Sequence, residues 1–392
     1  MNKFFSSLYH KILLLCIVII YTFCFVSPVW AKAQKENTDD ALEAEADTDQ
    51  NFFENTDDRL EKYQYPVTDS SLKTAVSVTD EHLQTIPVQE YKEIWGYLIY
   101  GQEQYYNSEL PITDIGYFNA GLSTFGELVG VPNLKKLPET NARVHLVVID
   151  SGKALTHFCL DPEYGVRKKL IKSMLEAAKP FDGLQIDFEL VSKEDKEHYW
   201  SFLRELKKGL GKDKTLSIAI PARTKKLKVD AYDYEELNKI ADRILVMAYD
   251  EHWSTSAPGP VASLEWCRNV ATYAAETIPA EKLIMGLPFY GRAWSNDDTA
   301  GAYRFSSIDR LYRGENSKGK LSEDTKITPV TLENGIPTFK LTKNVTYTFY
   351  LDNALSLSKR LEIYNELGVT SVGFWRLGQE DSDIWKLIRV KQ

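Results

Sequence analysis

The chain is poor in the residues that metal, redox or nucleotide chemistry needs. Its 392 residues hold four Cys and six His, and no His pair stands at metal-ligand spacing. There is no Gly-x-Ser-x-Gly elbow and no P-loop. No Gly-rich phosphate turn follows the first strand-like segment, which argues against a doubly wound nucleotide-binding sheet. No metal or cofactor is therefore expected. Basic excess is missing as well: Lys and Arg number 47 against 56 acids, for a net charge of −9. The acids are uneven, with ten of them and no Lys or Arg between residues 36 and 58. The rest of the chain is close to neutral, so the acidity belongs to a solvated tail. Nothing in the charge argues for nucleic acid.

Only one long apolar run occurs, at residues 12–26. Lys3 and Lys11 precede it and Ala31-Lys32-Ala33 follows. The run is short for a membrane span, and the pattern is that of a secretory signal over residues 1–33. The protein is therefore expected to be exported, either secreted, periplasmic or envelope-associated, and to meet a membrane only through that signal. Leu15 and Phe23 precede Cys16 and Cys24, which argues against lipid attachment. Cys159 and Cys267 remain. Export permits a disulfide between them, although their spacing supports none. Residues 34–88 are polar, acidic and without apolar periodicity, and read as a disordered linker.

From residue 89 onward strand-like and helical patterns alternate. Strands are expected at 94–99, 114–120, 143–149, 183–189, 215–220, 243–248, 282–287 and 371–375. Helices are expected at 165–179, 193–209, 234–240, 260–277 and 353–366. Eight strands alternating with helices predict a (β/α)8 TIM barrel. The gap before the last strand is much longer than the others. Short alternating runs fill it, which predicts a small β-rich insertion at about 299–350, between strands seven and eight.

The most pointed segment is Phe181-Asp182-Gly183-Leu184-Gln185-Ile186-Asp187-Phe188-Glu189-Leu190. Leu184, Ile186 and Phe188 share one strand face, and Gln185, Asp187 and Glu189 the other. Asp187 and Glu189 lie roughly 6.6 Å apart along a strand that rises about 3.3 Å per residue. Buried acids cost several kcal/mol unless paired or hydrogen-bonded, so this row asks for a chemical role. Barrel active sites form at the carboxyl ends of the strands. There the sequence places Tyr249, Asp250 and Trp253 after strand six, Tyr290, Arg292 and Trp294 after strand seven, and Trp375 after strand eight. Tyr97 lies on strand one. Carboxylates among Tyr and Trp rings suit a sugar: rings cover the apolar faces of a pyranose, and carboxylates grip hydroxyls or move protons. An ordinary two-carboxylate glycosidase needs its groups on opposite sides of the scissile bond, which neighbours on one strand fit poorly.

The run from Asp182 to Glu189 resembles the Asp-Gly-x-Asp-x-Asp-x-Glu signature of glycoside hydrolase family 18, the chitinase family. Met247-Ala248-Tyr249-Asp250, Gly286-Leu287-Pro288-Phe289-Tyr290-Gly291-Arg292 and Gly373-Phe374-Trp375 strengthen the likeness, which covers roughly residues 92–390. The run through Ser256-Ala257-Pro258-Gly259-Pro260 resembles the branch with spore-cortex and cell-wall N-acetylglucosaminidases. The resemblance implies catalytic roles for Glu189 as general acid and base, Asp187 as partner of the substrate acetamido group, and Tyr249 as donor to its oxygen. The acetamido oxygen is then the nucleophile, an exception to the two-carboxylate scheme. Substrate contacts are expected from Gln185, Asp250, Trp375 and Tyr97, with further contacts from Trp253, Tyr290, Arg292 and Trp294. The implied partner is an N-acetylglucosamine-containing polysaccharide, peptidoglycan or chitin, cleaved at β-1,4 bonds by a monomer. A non-catalytic sugar-binding barrel is the alternative.

Two positions depart from the family pattern. Gln185 stands where an Asp is usual. An amide can hydrogen-bond Asp187 but cannot take its proton, so an altered acidic limb of the pH profile is expected. Asp150, in Val148-Ile149-Asp150-Ser151-Gly152-Lys153, falls where Ser-x-Gly-Gly is usual.

Overall fold

The computed structural model describes residue 76, residues 79–297 and 299–392, and the backbone of residues 46 and 47. The segment read as a signal and most of the segment read as linker lie outside the described residues. Within the stretch read as linker, Asp80–Leu83 forms one helical turn capped by Thr79. Leu83 and Val76 are buried, and Asn353 Nδ2 donates to the Val76 carbonyl at 3.0 Å. The ordered domain thus starts before residue 89, because these two apolar side chains give it something to bury. The backbone of Ala46–Asp47 pairs antiparallel with Tyr303 and Ala302.

Eight parallel strands run Glu93–Ile99, Asp114–Leu122, Arg143–Asp150, Gly183–Phe188, Thr215–Pro221, Arg243–Met247, Leu283–Pro288 and Ser371–Trp375. Each pairs with the next, and the first pairs with both the second and the last, so the sheet is closed. The expected (β/α)8 barrel is present. Phe188 packs on Phe202 and Tyr199 of the helix Lys196–Leu210, with ring centroids 5.9 and 6.3 Å apart. The Leu184–Ile186–Phe188 face therefore looks outward to the helices, and Gln185 and Asp187 look into the barrel. The five expected helices appear as Val166–Ala177, Lys196–Leu210, Tyr234–Asn238, Leu264–Thr277 and Ala354–Glu366. A further helix, Lys153–Leu160, follows strand three; it is short and opens on Gly152, which hid it in the sequence. Cys159 and Cys267 are free, buried thiols.

The barrel floor is charged. Arg143 and Arg243 both reach Glu93, at 2.9 and 2.7 Å, and Arg143 also reaches Asp114 at 2.8 Å. His145 Nε2 meets Asp114 at 2.8 Å under the Trp95 ring. Burial opposes the Glu93 charge, but the two arginines outweigh it and hold its carboxyl down at about 2. Gly183 of the strand-four signature sits beside this floor. A Cβ there would meet His145 Nδ1 at 2.3 Å and the Thr215 carbonyl at 2.7 Å. Gly183→Ala is expected to cost about 1–3 kcal/mol through this overpacking, seen as a lowered Tm; an unchanged Tm would mean that the floor yields without strain.

The insertion starts earlier than its expected boundary at 299. The last rung joining strands seven and eight is Pro288 opposite Trp375. The chain then leaves the barrel and forms Tyr290–Ser295, which pairs antiparallel with Ala300–Arg304 and Thr346–Tyr350. Gly291 permits this contact: a Cβ would lie 2.6 Å from the Tyr350 carbonyl. The sheet continues through Ile336–Thr342, where Phe339 stacks on Phe349 at 4.8 Å. Tyr290, Arg292 and Trp294 therefore belong to the wall sheet and not to the end of strand seven.

Candidate active site

The strand-four row opens into the mouth of the barrel. Gln185, Asp187 and Glu189 are all buried. Tyr97, from strand one, donates to Gln185 Oε1 at 2.8 Å, and Gln185 Nε2 donates to Ser217 Oγ at 3.1 Å. The amide is thus spent on strands one and five and does not bond Asp187, contrary to what the sequence suggested. Asp187 Oδ1 and Glu189 Oε2 are buried without a hydrogen-bond partner. Two unpartnered carboxyl oxygens on one strand row are costly, and this cost marks the place where a ligand would supply partners.

Electrostatics follow from this burial. Desolvation raises the Asp187 carboxyl well above the usual range. Glu189 is raised further, by desolvation first and then by the charges of Asp187, Asp250 and Asp150. A carboxyl so placed carries its proton near neutral pH and can donate it. Tyr249 is buried, and burial keeps its phenol far above the ordinary value. It therefore remains a donor. Gly286 leaves room for its ring: a Cβ there would meet Tyr249 Cε1 at 3.0 Å and the Val246 carbonyl at 2.8 Å.

Asp250 follows with a left-handed backbone (φ 59°), uncommon outside Gly but tolerated by Asp and Asn. The wall sheet holds it there. Tyr290 Oη donates to Asp250 Oδ1 at 2.5 Å and Arg292 Nη2 at 2.9 Å. Trp375 is half-buried at the end of strand eight, its ring 4.8 Å from Phe118 and 5.7 Å from Tyr97. Trp294 lies further along the wall, packed on Tyr350. Its indole Nε1 is buried without a partner. Trp253 stands on the loop after strand six, where its indole donates to Thr255 Oγ1 at 2.7 Å. His252 is a loop pin, with Nδ1 2.8 Å from the Pro260 carbonyl.

A cavity of about 410 Å³ adjoins Glu189, Tyr249 and Asp250. Most of its other walls come from the segments after strands three, four and five, among them Lys153, Ser192, Arg223 and Tyr232. Sequence patterns gave no reason to select Tyr232, since it sits in an aperiodic loop. Asp150, noted only as a departure, accepts the Glu189 backbone N–H at 2.9 Å through its carbonyl.

A carboxyl kept protonated near a second buried carboxyl, beside a cavity lined by Tyr249 and Tyr232, is equipment for splitting a glycosidic bond; the molecule is of the glycoside hydrolase class. Sequence comparison supplies the family. The family profile described as glycosyl hydrolases family 18 matches residues 160–380, and the chain belongs to that family. It is 28% identical over 235 residues to the glycosylase YvbX of Bacillus subtilis (strain 168), covering 57% of this chain and 65% of that protein. It is 25% identical over 297 residues to the cortical fragment-lytic enzyme of the same organism, covering 71% and 67%. The chain thus spans no more than about two thirds of the length of either relative. In structure it resembles the Bacillus cereus spore cortex-lytic enzyme SleL, with a TM-score of 0.68, 21% identity, and coverage of 77% of this chain and 76% of that one. At that identity the likeness concerns the fold.

Gln185→Asp gives the first test of the site. A carboxyl at 185 would share a proton with Asp187, and such a pair keeps its last negative charge to lower pH than a lone buried acid does. The acidic limb of kcat/KM is expected to move down by about one pH unit or more. A profile that coincides with the wild type would show that Gln185 has no part in setting the charge of Asp187.

Proposed function

We propose that this protein is an exported glycosidase that hydrolyses the β-1,4 bond after N-acetylglucosamine in peptidoglycan-type glycans, with retention and with the substrate's 2-acetamido oxygen as nucleophile. The observation that carries the reading is the strand-four pair: Asp187 and Glu189, buried, neighbouring, each with an unpartnered oxygen. In this scheme Glu189 protonates the glycosidic oxygen and then, as carboxylate, takes a proton from the attacking water. Asp187 accepts the acetamido N–H and stabilises the positive charge that develops as its oxygen attacks the anomeric carbon. Tyr249 donates to that oxygen and keeps it aimed. Trp375 lies beneath the sugar being cleaved, and Asp250, fixed by Tyr290 and Arg292, takes a hydroxyl. Neither acid has to reach the far face of the ring, so both can share one strand.

Peptidoglycan is preferred to chitin because two relatives, one by sequence and one by fold, are named for cortex lysis. Digestion of purified peptidoglycan, with products identified by mass, tests the reading. Fragments ending in reducing N-acetylglucosamine are expected. Fragments ending in reducing N-acetylmuramic acid would refute the bond assignment, and binding without any release would replace the enzyme by a sugar-binding barrel. Faster cleavage of chitin oligomers than of peptidoglycan would move the substrate to chitin. Export is tested by locating the protein in culture fractions; retention in the cytoplasm would remove that part.

A further inference from the structure

On the strand-five side, the pairing of strand four stops at Ile186 opposite Ile218. Phe188, Glu189 and the residues after them therefore run past that ladder, where backbone N–H and C=O groups need other partners. The Tyr232 hydroxyl supplies them. It donates to the Phe188 carbonyl at 2.5 Å and accepts from the Val191 N–H at 2.9 Å, bridging the two sides of Glu189-Leu190. One hydroxyl, with one proton and two lone pairs, serves both bonds. On the opposite side the Glu189 N–H is held by the Asp150 carbonyl at 2.9 Å.

Tyr232 is itself anchored. Its own N–H donates to Asp230 Oδ1 at 3.0 Å, and Asp230 pairs with Arg223 Nε at 2.9 Å. The carbonyl before it, on Ala231, accepts from Trp200 Nε1 at 2.8 Å. The same loop forms a wall of the cavity beside Glu189. We propose that Tyr232 is a positioning residue for the general acid: its hydroxyl clamps the Glu189-Leu190 turn so that the carboxyl points at the leaving-group oxygen. The inference rests on the glycosidase reading and on Glu189 as its acid. Small displacements of a catalytic group are enough to matter, since about 1 Å of misplacement costs up to 10²-fold.

Leaving-group chemistry separates a misaimed acid from a damaged fold. A sugar alkoxide must be protonated to leave, whereas a nitrophenolate leaves without help. With the full chain, Tyr232→Phe is expected to lower kcat on an N-acetylglucosamine oligomer roughly 10- to 100-fold and to leave KM within about threefold. On the corresponding nitrophenyl glycoside the readout is kcat/KM, which ends at departure of the leaving group and excludes the later water attack that Glu189 also assists; it should fall less than about threefold. Tyr199→Phe is the control. Tyr199 packs 6.0 Å from the Tyr232 ring, but its hydroxyl has no partner, and both substrates should be unaffected. Arg223→Gln, which releases Asp230, should reproduce the selective loss at smaller size and stands in if Tyr232→Phe does not fold. Equal losses on both substrates, no loss on either, or the same loss in Tyr199→Phe would overturn the proposal. Those results require an active wild type; a wild type that cleaves neither substrate would remove the glycosidase reading and this inference with it.

Discussion

Glu189→Gln is expected to lower kcat on a glycan by about 10²- to 10⁴-fold, the usual contribution of a positioned general acid, with little change in KM. The substitution keeps the shape of the side chain and removes only its proton chemistry. A steady-state comparison on peptidoglycan fragments decides it, and a variant within tenfold of wild type would mean that another group protonates the leaving oxygen. The same substitution should make the protein more stable. Glu189 is buried, and desolvation, with Asp187, Asp250 and Asp150 nearby, raises its pKa above the unfolded value. Such a group binds more protons folded than unfolded, so the fold loses stability as pH rises from the unfolded pKa toward the raised folded one. The gain in Tm of Glu189→Gln over wild type should therefore be present at pH 7 and vanish near pH 4. A gain that stays constant across that range would contradict the electrostatic account. Function and stability pull in opposite directions at this residue, as expected where a site is held ready for a substrate.

How far the sequence leads depends on the range of the interaction being read. All eight strand positions were legible, because a barrel strand carries its period in consecutive residues and its helix follows directly. The site was legible where it sits on those strands: Gln185, Asp187 and Trp375 fall inside or at the end of a strand, and Glu189 and Tyr249 just beyond one. Legibility fails where contact is made across space. The run Tyr290–Ser295 reads naturally as a tail on strand seven. Only its pairing with Thr346–Tyr350, some fifty residues later, turns it into a wall. The family pattern made Gln185 a candidate partner for Asp187, yet its bonds go to Tyr97 and Ser217. Tyr232 gave no signal at all, since its two bonds are to backbone groups that any sequence would carry.

The demand for an acetamido group is the sharpest consequence of placing both acids on one strand. If the substrate supplies the nucleophile, removing the acetyl group from the sugar before the cleaved bond should abolish hydrolysis, while leaving intact every hydroxyl that Asp250 and the rings can hold. De-N-acetylated glycan, assayed beside the acetylated form, makes this visible as loss of all product. Continued cleavage would show that a protein carboxylate does the attacking. Asp187→Asn gives the protein side of the same claim. The amide keeps a carbonyl for the acetamido N–H but removes the charge that stabilises the developing cation, a loss of about 10²- to 10³-fold in kcat for a group of this kind. The two losses should not multiply, because both remove the same step. A thiazoline analogue of the cyclised sugar should bind the wild type more tightly than the product does. That advantage should shrink in Asp187→Asn, and a variant that binds the analogue as tightly as wild type would place the stabilising charge elsewhere. With Gln185 neutral and turned toward Tyr97 and Ser217, no second carboxyl at 185 shares the proton of Asp187. The charge on Asp187 is therefore set by its burial and by the substrate, and acid conditions should silence the wild type by protonating this one group.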